Sequence, residues 1–143
     1  MSQEMRQHVQ SLVVIQNDDD AHDLSDETLT QTDLIALLQR ACDTLDNGGL
    51  NHYLLLTSVN TSHGPEDPTW LHGHKKGFAV DCWPIKDADL YQFVYDMIEK
   101  NKWVTKVGLG GEAQQIGFHE GTADNGTIVF FDNRQDHVHL QTQ

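Results

Sequence analysis

Apolar positions between residues 34 and 45 recur at three- and four-residue spacing. Leu34, Leu37, Leu38, Ala41 and Leu45 fall on one side of a 3.6-residue helix. Ser, Thr and Asp in the preceding "SDETLTQTD" are candidate N-caps and Gly48-Gly49 a stop, so a helix is predicted between them. A second stripe, Leu90, Phe93, Val94, Met97 and Ile98 in "KDADLYQFVYDMIEKN", predicts another amphipathic helix. Elsewhere the apolar runs are of strand length: "HYLLLTSV", "GFAVDCWPI", "KVGLGG", "TIVFFDN" and "HVHLQ". Between the first two runs, the turn formers of "NTSHGPEDPTWLHGHKK" predict a long loop over the sheet. "EAQQIGFHEGTADNG" reads as a further loop with a turn at Asn125-Gly126. Near the start, "SLVVIQ" reads as an edge strand or packed segment and "NDDDAHD" as solvated, so residues 1–24 are set apart as an N-terminal arm and 25–143 as one domain. The order helix, strand, strand, helix, strands predicts an α+β fold with a mainly antiparallel sheet flanked by helices.

Alternation along the second strand gives the sheet a polar side. Ala79 and Asp81 share one face, while Phe78, Val80 and Cys82 share the other, so Asp81 points away from the apolar core and Cys82 into it. Gly77 offers a place to turn that folds His74 back toward Asp81. His139, on a neighbouring strand, completes a His2Asp set. Two neutral imidazoles and a carboxylate are the chemistry of a catalytic Zn2+ site, which keeps a fourth position for water. Zinc lowers the pKa of such a water from 15.7 to about 7. A proton carrier is then required, and Asp136 stands three residues before His139. In a regular strand the two would face opposite sides, so Asp136 is expected in the turn before the strand or at a bulge. His137 shares the face of His139 and competes with it as ligand. His72 reads as a neighbour of the metal or substrate and His119 as a loop histidine. Trp70, Trp83 and Trp103 read mainly as core, with Trp70, in the loop just before the motif, alternatively lining a substrate groove.

Composition narrows the partners. A chain of 143 residues, 38% hydrophobic, can bury a core without disulfides. With 22 acidic against 9 basic residues and a formal charge of −13, it lacks the Lys and Arg that nucleic acid or an anionic membrane requires, so neither is an expected partner. The opening "MSQEMRQHVQSLVVIQNDDD" lacks the basic and long apolar regions of a signal peptide, and no run approaches spanning length. Cytoplasmic residence is expected. Cys42 and Cys82 are expected as buried thiols.

"HGHKKGFAVD" resembles the H-x-x-G-x-A-x-D element, and "DHVHL" the D/E-x-x-H element, of the M15 family of zinc D,D- and L,D-peptidases. That family includes D-Ala-D-Ala carboxypeptidases and dipeptidases and the phage L-alanyl-D-glutamate endolysins. The resemblance runs over roughly residues 50–141. It implies a hedgehog/D-Ala-D-Ala-peptidase fold, zinc on His74, Asp81 and His139, Asp136 as general base, and a peptidoglycan stem peptide as substrate. Two positions depart from the pattern. Family members commonly carry Ser two residues before the first His, where this chain has His72. They also carry an upstream Arg in an S-x-x-R context; here "LLLTSVNTSHG" offers Ser58 and Asn60, and the arginines are Arg6, Arg40 and Arg134. Such a helper contributes a few kcal/mol to the transition state, and His63, Lys75 or Lys76 are the residues able to replace it. Ser58, His63, Trp70, His72 and His137 are the expected substrate-side residues. The expected function is a zinc metallopeptidase of endolysin or carboxypeptidase type, made in a host cytoplasm and released to the wall. The alternative is a catalytically weak or inactive zinc-binding component of a phage virion, with other virion proteins as partners. A zinc amidase with a substrate outside the cell wall is a third possibility.

Overall fold

A computed structural model describes residues 2–45, 51–85, 106–110, 121–122, 128–132 and 137–142. Three helices precede most of the sheet: α1 (Ser2–Leu12), α2 (Asp18–Ser25) and α3 (Thr32–Asp43), with strand β1 (Val13–Ile15) between the first two. The remaining strands are β2 (Leu54–Ser58), β3 (Ala79–Pro84), β4 (Lys106–Gly110), β5 (Gly121–Thr122), β6 (Ile128–Asp132) and β7 (Val138–Gln141). A single 3-10 turn, His74–Lys76, leads into β3.

The stripe predicted for the first amphipathic helix is the buried face of α3, with Leu34, Leu37, Leu38 and Ala41 fully enclosed and Leu45 packed at the edge. Its ends differ from the prediction. Gln31 occupies the N-cap without a side-chain cap, and its own amide instead donates to the Gly77 carbonyl at 2.9 Å. The helix stops at Asp43, where the Thr44 hydroxyl donates to the Ala41 carbonyl at 2.8 Å and satisfies a terminal acceptor. The second predicted helix, the turn at Asn125-Gly126, His119 and Trp103 lie outside the described residues.

The architecture is α+β, and the strands form one sheet in the order β1-β2-β3-β7-β4-β6-β5. The expectation of a mainly antiparallel sheet is corrected: the sheet is mixed, with β1–β2 and β4–β6 parallel and the other pairings antiparallel. Strand β1 reaches β2 through α2 and α3, a helical crossover that returns the chain in the same direction. Hydrophobic periodicity carries no such directional information.

Over β1, β2, β3 and β7, one face of the sheet is apolar and covered by helices. Val13, Leu54, Leu56, Val80, Cys82, Val138 and Leu140 meet Val9, Leu24, Leu34, Ile35 and Leu38 there in a continuous buried cluster. Each large side chain so buried stabilises by about 1.5–3 kcal/mol. Within residues 1–24, set apart in the sequence as an N-terminal arm, Val9, Val13 and Leu24 belong to this cluster. The tract expected to be solvated forms α2, with Asp20 and Asp23 buried. Arg6 is also buried: its guanidinium donates to the carbonyls of Leu24 (2.9 Å) and Thr30 (2.7 Å), tying α1 to the turn between α2 and α3. Cys42 and Cys82 are free thiols in the core, and burial pushes Cys42 up to about 12, which leaves it unreactive. Among the described residues no helix is long and apolar enough to cross a membrane.

Candidate metal centre

The other face of the sheet carries the polar residues that strand alternation assigned to it. Strands β3 and β7 pair so that Asp81 lies directly opposite His139. A register shift in β2 between Leu56 and Ser58 sets Ser58 beside Asp81 from the other strand. Its hydroxyl donates to Asp81 Oδ2 at 2.8 Å. Ser58, expected at the substrate, therefore steadies the central carboxylate.

His74 comes from the loop. The 3-10 turn ends at Gly77, whose φ of 83° and ψ of 20° are left-handed. A Cβ there would stand 2.8 Å from the Leu29 carbonyl oxygen, so glycine is required both by conformation and by space. At the start of the turn, Glu66 accepts the amides of His74 (3.2 Å) and Lys75 (2.7 Å). Gly73 leaves room for that carboxylate, since a Cβ would come within 2.9 Å of it. The turn delivers a fully buried His74 ring to Asp81.

Three donor atoms converge. His74 Nε2 lies 3.3 Å and His139 Nδ1 3.4 Å from Asp81 Oδ1, and the two nitrogens are 3.3 Å apart. The hydrogen bonds behind each ring fix which nitrogen holds the proton. His74 Nδ1 is 2.7 Å from the Val59 carbonyl, an acceptor only, so it carries the hydrogen and Nε2 the lone pair. Gln141 donates its amide to the His72 carbonyl at 3.1 Å and turns its oxygen to His139 Nε2 at 2.9 Å. His139 therefore donates from Nε2 and presents the Nδ1 lone pair to the cluster. Asp81 Oδ1 is buried and has no hydrogen-bond partner among the described residues.

Three lone pairs facing one another in a buried space repel unless a cation sits among them. Donor atoms on a tetrahedron with bonds of about 2.0–2.1 Å stand about 3.3–3.4 Å apart, which matches the observed separations. The outer hydrogen bonds to Val59 and Gln141 are of the kind that orient metal-ligating imidazoles. His74, Asp81 and His139 thus fit a divalent ion and form a group able to hold one. Nitrogen and carboxylate donors suit zinc and other borderline metals. Burial alone would raise the Asp81 pKa, but when the surrounding imidazoles carry their second protons, hydrogen bonds from His139 and His74 and the charges of His74 and His137 outweigh it and hold the carboxyl below the usual range; a divalent ion in place of those protons would act in the same direction. Asp81 is ionised, as a ligand must be.

His63, Glu66 and His74 also approach one another closely enough to hold an ion. Glu66 has already committed both oxygens to backbone amides. The His63 ring stacks on His74 with centroids 3.7 Å apart and planes 14° from parallel. In-plane lone pairs of two stacked rings do not meet at one point, so His63 is no ligand to an ion held by His74. Its Nδ1 donates to the Gly64 carbonyl at 2.8 Å, and Nε2 lies 3.7 Å from Asp81 Oδ2. Burial, then the His74 charge, lower the His63 pKa against the opposing pull of the Gly64 carbonyl and Asp81, which favours the neutral ring. His137 Nε2 stands at the same 3.7 Å from Asp81 Oδ2, whereas His139 reaches Oδ1. The competition for the ligand position thus favours His139.

The centre lies in a cleft of about 1530 Å3 whose lining includes Ser58, His63, Trp70, His72 and His137. Trp70 and Leu71 are exposed at 55% and 77%. His72 packs edge-on against Phe78 and contributes its carbonyl to Gln141. Asp136 lies outside the described residues. Of the residues expected to stand in for an upstream arginine, His63 lines the cleft and Lys75 Nζ donates to the Asn60 carbonyl at 2.6 Å; neither Lys nor Arg is among the described residues lining the cleft. Sequence reasoning missed Gln141, Glu66 and the Val59 carbonyl. For Gln141 a signal existed, because it shares the strand face of His139; for the others, loop residues joined by long-range contacts, there was none.

Compared with protein-family profiles, curated proteins and solved structures, the chain matches none.

Proposed function

We propose that this chain is a zinc-dependent peptidase of M15 type that hydrolyses peptidoglycan stem peptides. The observation that carries the reading is the buried triangle of His74 Nε2, Asp81 Oδ1 and His139 Nδ1, with edges of 3.3–3.4 Å, at the base of an open cleft. The spacing of these residues, H-x-x-G-x-A-x-D and D-x-x-H, agrees with the family's two elements. Zinc in such a set supplies Lewis acidity toward a scissile carbonyl and acidifies water.

The chain's own residues supply the rest of the chemistry. Asp136 takes the proton of the attacking water and returns it to the leaving amine. His63 and His137, which line the cleft beside Asp81, hydrogen-bond the substrate. Trp70 and Leu71 form an apolar wall at the rim, and a cleft larger than the ~300–1,000 Å3 of a small-molecule site accommodates an extended peptide. An endolysin-type role, with synthesis in a host cytoplasm, follows from the same resemblance.

One observation favours a second reading, a metal-binding phage structural component without turnover: among the described residues no Lys or Arg faces the cleft to polarise the carbonyl. Turnover separates the two. Zinc-loaded protein is incubated with purified peptidoglycan and released amino groups are counted, with Asp136→Ala and His139→Ala in parallel. Release that vanishes in both variants supports the peptidase. Zinc uptake with no release from any of the three proteins would move the assignment to the structural component.

A further inference from the structure

Helix α2 carries a fully buried carboxylate that the proposed chemistry does not use, Asp23. Among the described residues it accepts hydrogen bonds from one loop: Oδ2 from the amides of Asn60 (3.3 Å) and Thr61 (2.7 Å), and Oδ1 from the Thr61 hydroxyl (2.8 Å). That loop also places the Val59 carbonyl 2.7 Å from His74 Nδ1. The Val59 carbonyl and the Asn60 amide belong to the same peptide unit, which is planar and trans. Its two polar ends therefore point in opposite directions, one at Asp23 and the other at His74. A carboxylate on the N–H end holds the plane in place and, by polarising it, makes the carbonyl a stronger acceptor.

We propose that Asp23 is a positioning residue of the metal centre, acting through the Val59–Asn60 peptide to fix His74 in the tautomer and direction that aim Nε2 at Asp81 and His139. The inference rests on the metal-binding part of the proposed function and not on hydrolysis. It places a peptide group between carboxylate and histidine, where metal sites commonly have the carboxylate contact the ring directly. Neighbouring contacts reinforce the loop: Ser62 donates to Asp20 at 2.6 Å, and the Asn60 side chain donates to the Leu29 carbonyl at 2.7 Å. The N-terminal acidic tract thereby becomes part of the support of the site.

The test uses the full chain with Asp23→Asn, and with Thr61→Val as a milder second variant that removes only the bond to Oδ1. Zinc affinity is measured by chelator competition, and the His74 ring-nitrogen shifts are recorded without metal. Asp23→Asn is expected to weaken zinc binding by about 10-fold and to replace the single Nδ1-protonated form of His74 by a mixture; Thr61→Val shifts both in the same direction by less. Loss of stability with unchanged zinc affinity and unchanged His74 tautomer would overturn the proposal, leaving Asp23 a structural residue. Should the unsubstituted protein take up no zinc, the metal reading fails, while the ring-nitrogen shifts still decide for or against the action of Asp23 on His74. If Asp23→Asn does not fold, Thr61→Val decides by the same two readings.

Discussion

Asp23 and Asp81 are both buried carboxylates, and their surroundings are opposite. Asp23 is met by two amides and a hydroxyl, all donors. Among the described residues Asp81 Oδ2 accepts the Ser58 hydroxyl, while Oδ1 faces two imidazole nitrogens whose rings, when neutral, direct their hydrogens elsewhere. A buried anion surrounded by donors is a finished structural element. One whose neighbours are acceptors is arranged for a cation. Burial and charge do not separate the two residues; the direction of the surrounding hydrogens does.

The contrast can be broken at several points. Asp81→Asn should weaken zinc binding by more than about 100-fold, beyond the range of outer-sphere changes, when measured by competition with a chromophoric chelator. Gly77→Ala should destabilise the metal-free protein by about 2–4 kcal/mol in urea denaturation, because left-handed backbone disfavours a side chain and the new Cβ would press on the Leu29 carbonyl. A wild-type denaturation curve would show that the turn is looser than described. Asp23→Asn should lower metal-free stability by about 1–3 kcal/mol through mispaired buried donors, whereas Asp81→Asn should lower it by less. The reverse ranking would erase the distinction between the two carboxylates. His63→Ala should leave zinc affinity within about 3-fold, since a stacked ring is no ligand, and a loss of the size expected for an outer-sphere partner, about 10-fold or more, would place it on the ion.

The smallest effect belongs to Asp20, which is intermediate between the two. Burial raises its pKa, and the nearby Asp23 charge adds to this against the Ser62 hydrogen bond. One oxygen is buried without a partner among the described residues. The folded state therefore binds a proton more readily than the unfolded chain, and the Asp20 contribution to stability falls as pH rises from the ordinary carboxylate range through its raised pKa. Relative to Asp20→Asn, the native protein should lose ground between acid and neutral pH, by up to about 1 kcal/mol. Paired denaturation curves at the two pH values measure it, and a difference of the opposite sign would contradict the assignment.

The centre was legible in the sequence where regular periodicity governs it. Strand alternation placed Val80 and Cys82 in the core and Asp81 opposite, and the same rule put His137 and His139 on one side of β7; Gln141, on that side too, went unread. Gly77 was legible as a turn because few other residues accept its conformation. The supports of His74 were not, because Glu66, Val59 and Asp23 reach it only after the loop has packed on α2. For the same reason the "NDDDAHD" tract reads as solvated, although tertiary contacts draw two of its carboxylates inside. Sheet direction was also hidden, since parallel and antiparallel strands share a two-residue period.

The central claim is that His74, Asp81 and His139 bind one divalent metal ion. Titration of the purified, metal-stripped chain with Co2+, followed by visible absorption, tests it most directly, with His139→Ala as the comparison. The account predicts saturation at one ion per chain with the intense absorption of a four-coordinate site, lost in His139→Ala. No uptake, or uptake indifferent to His139→Ala, would contradict it.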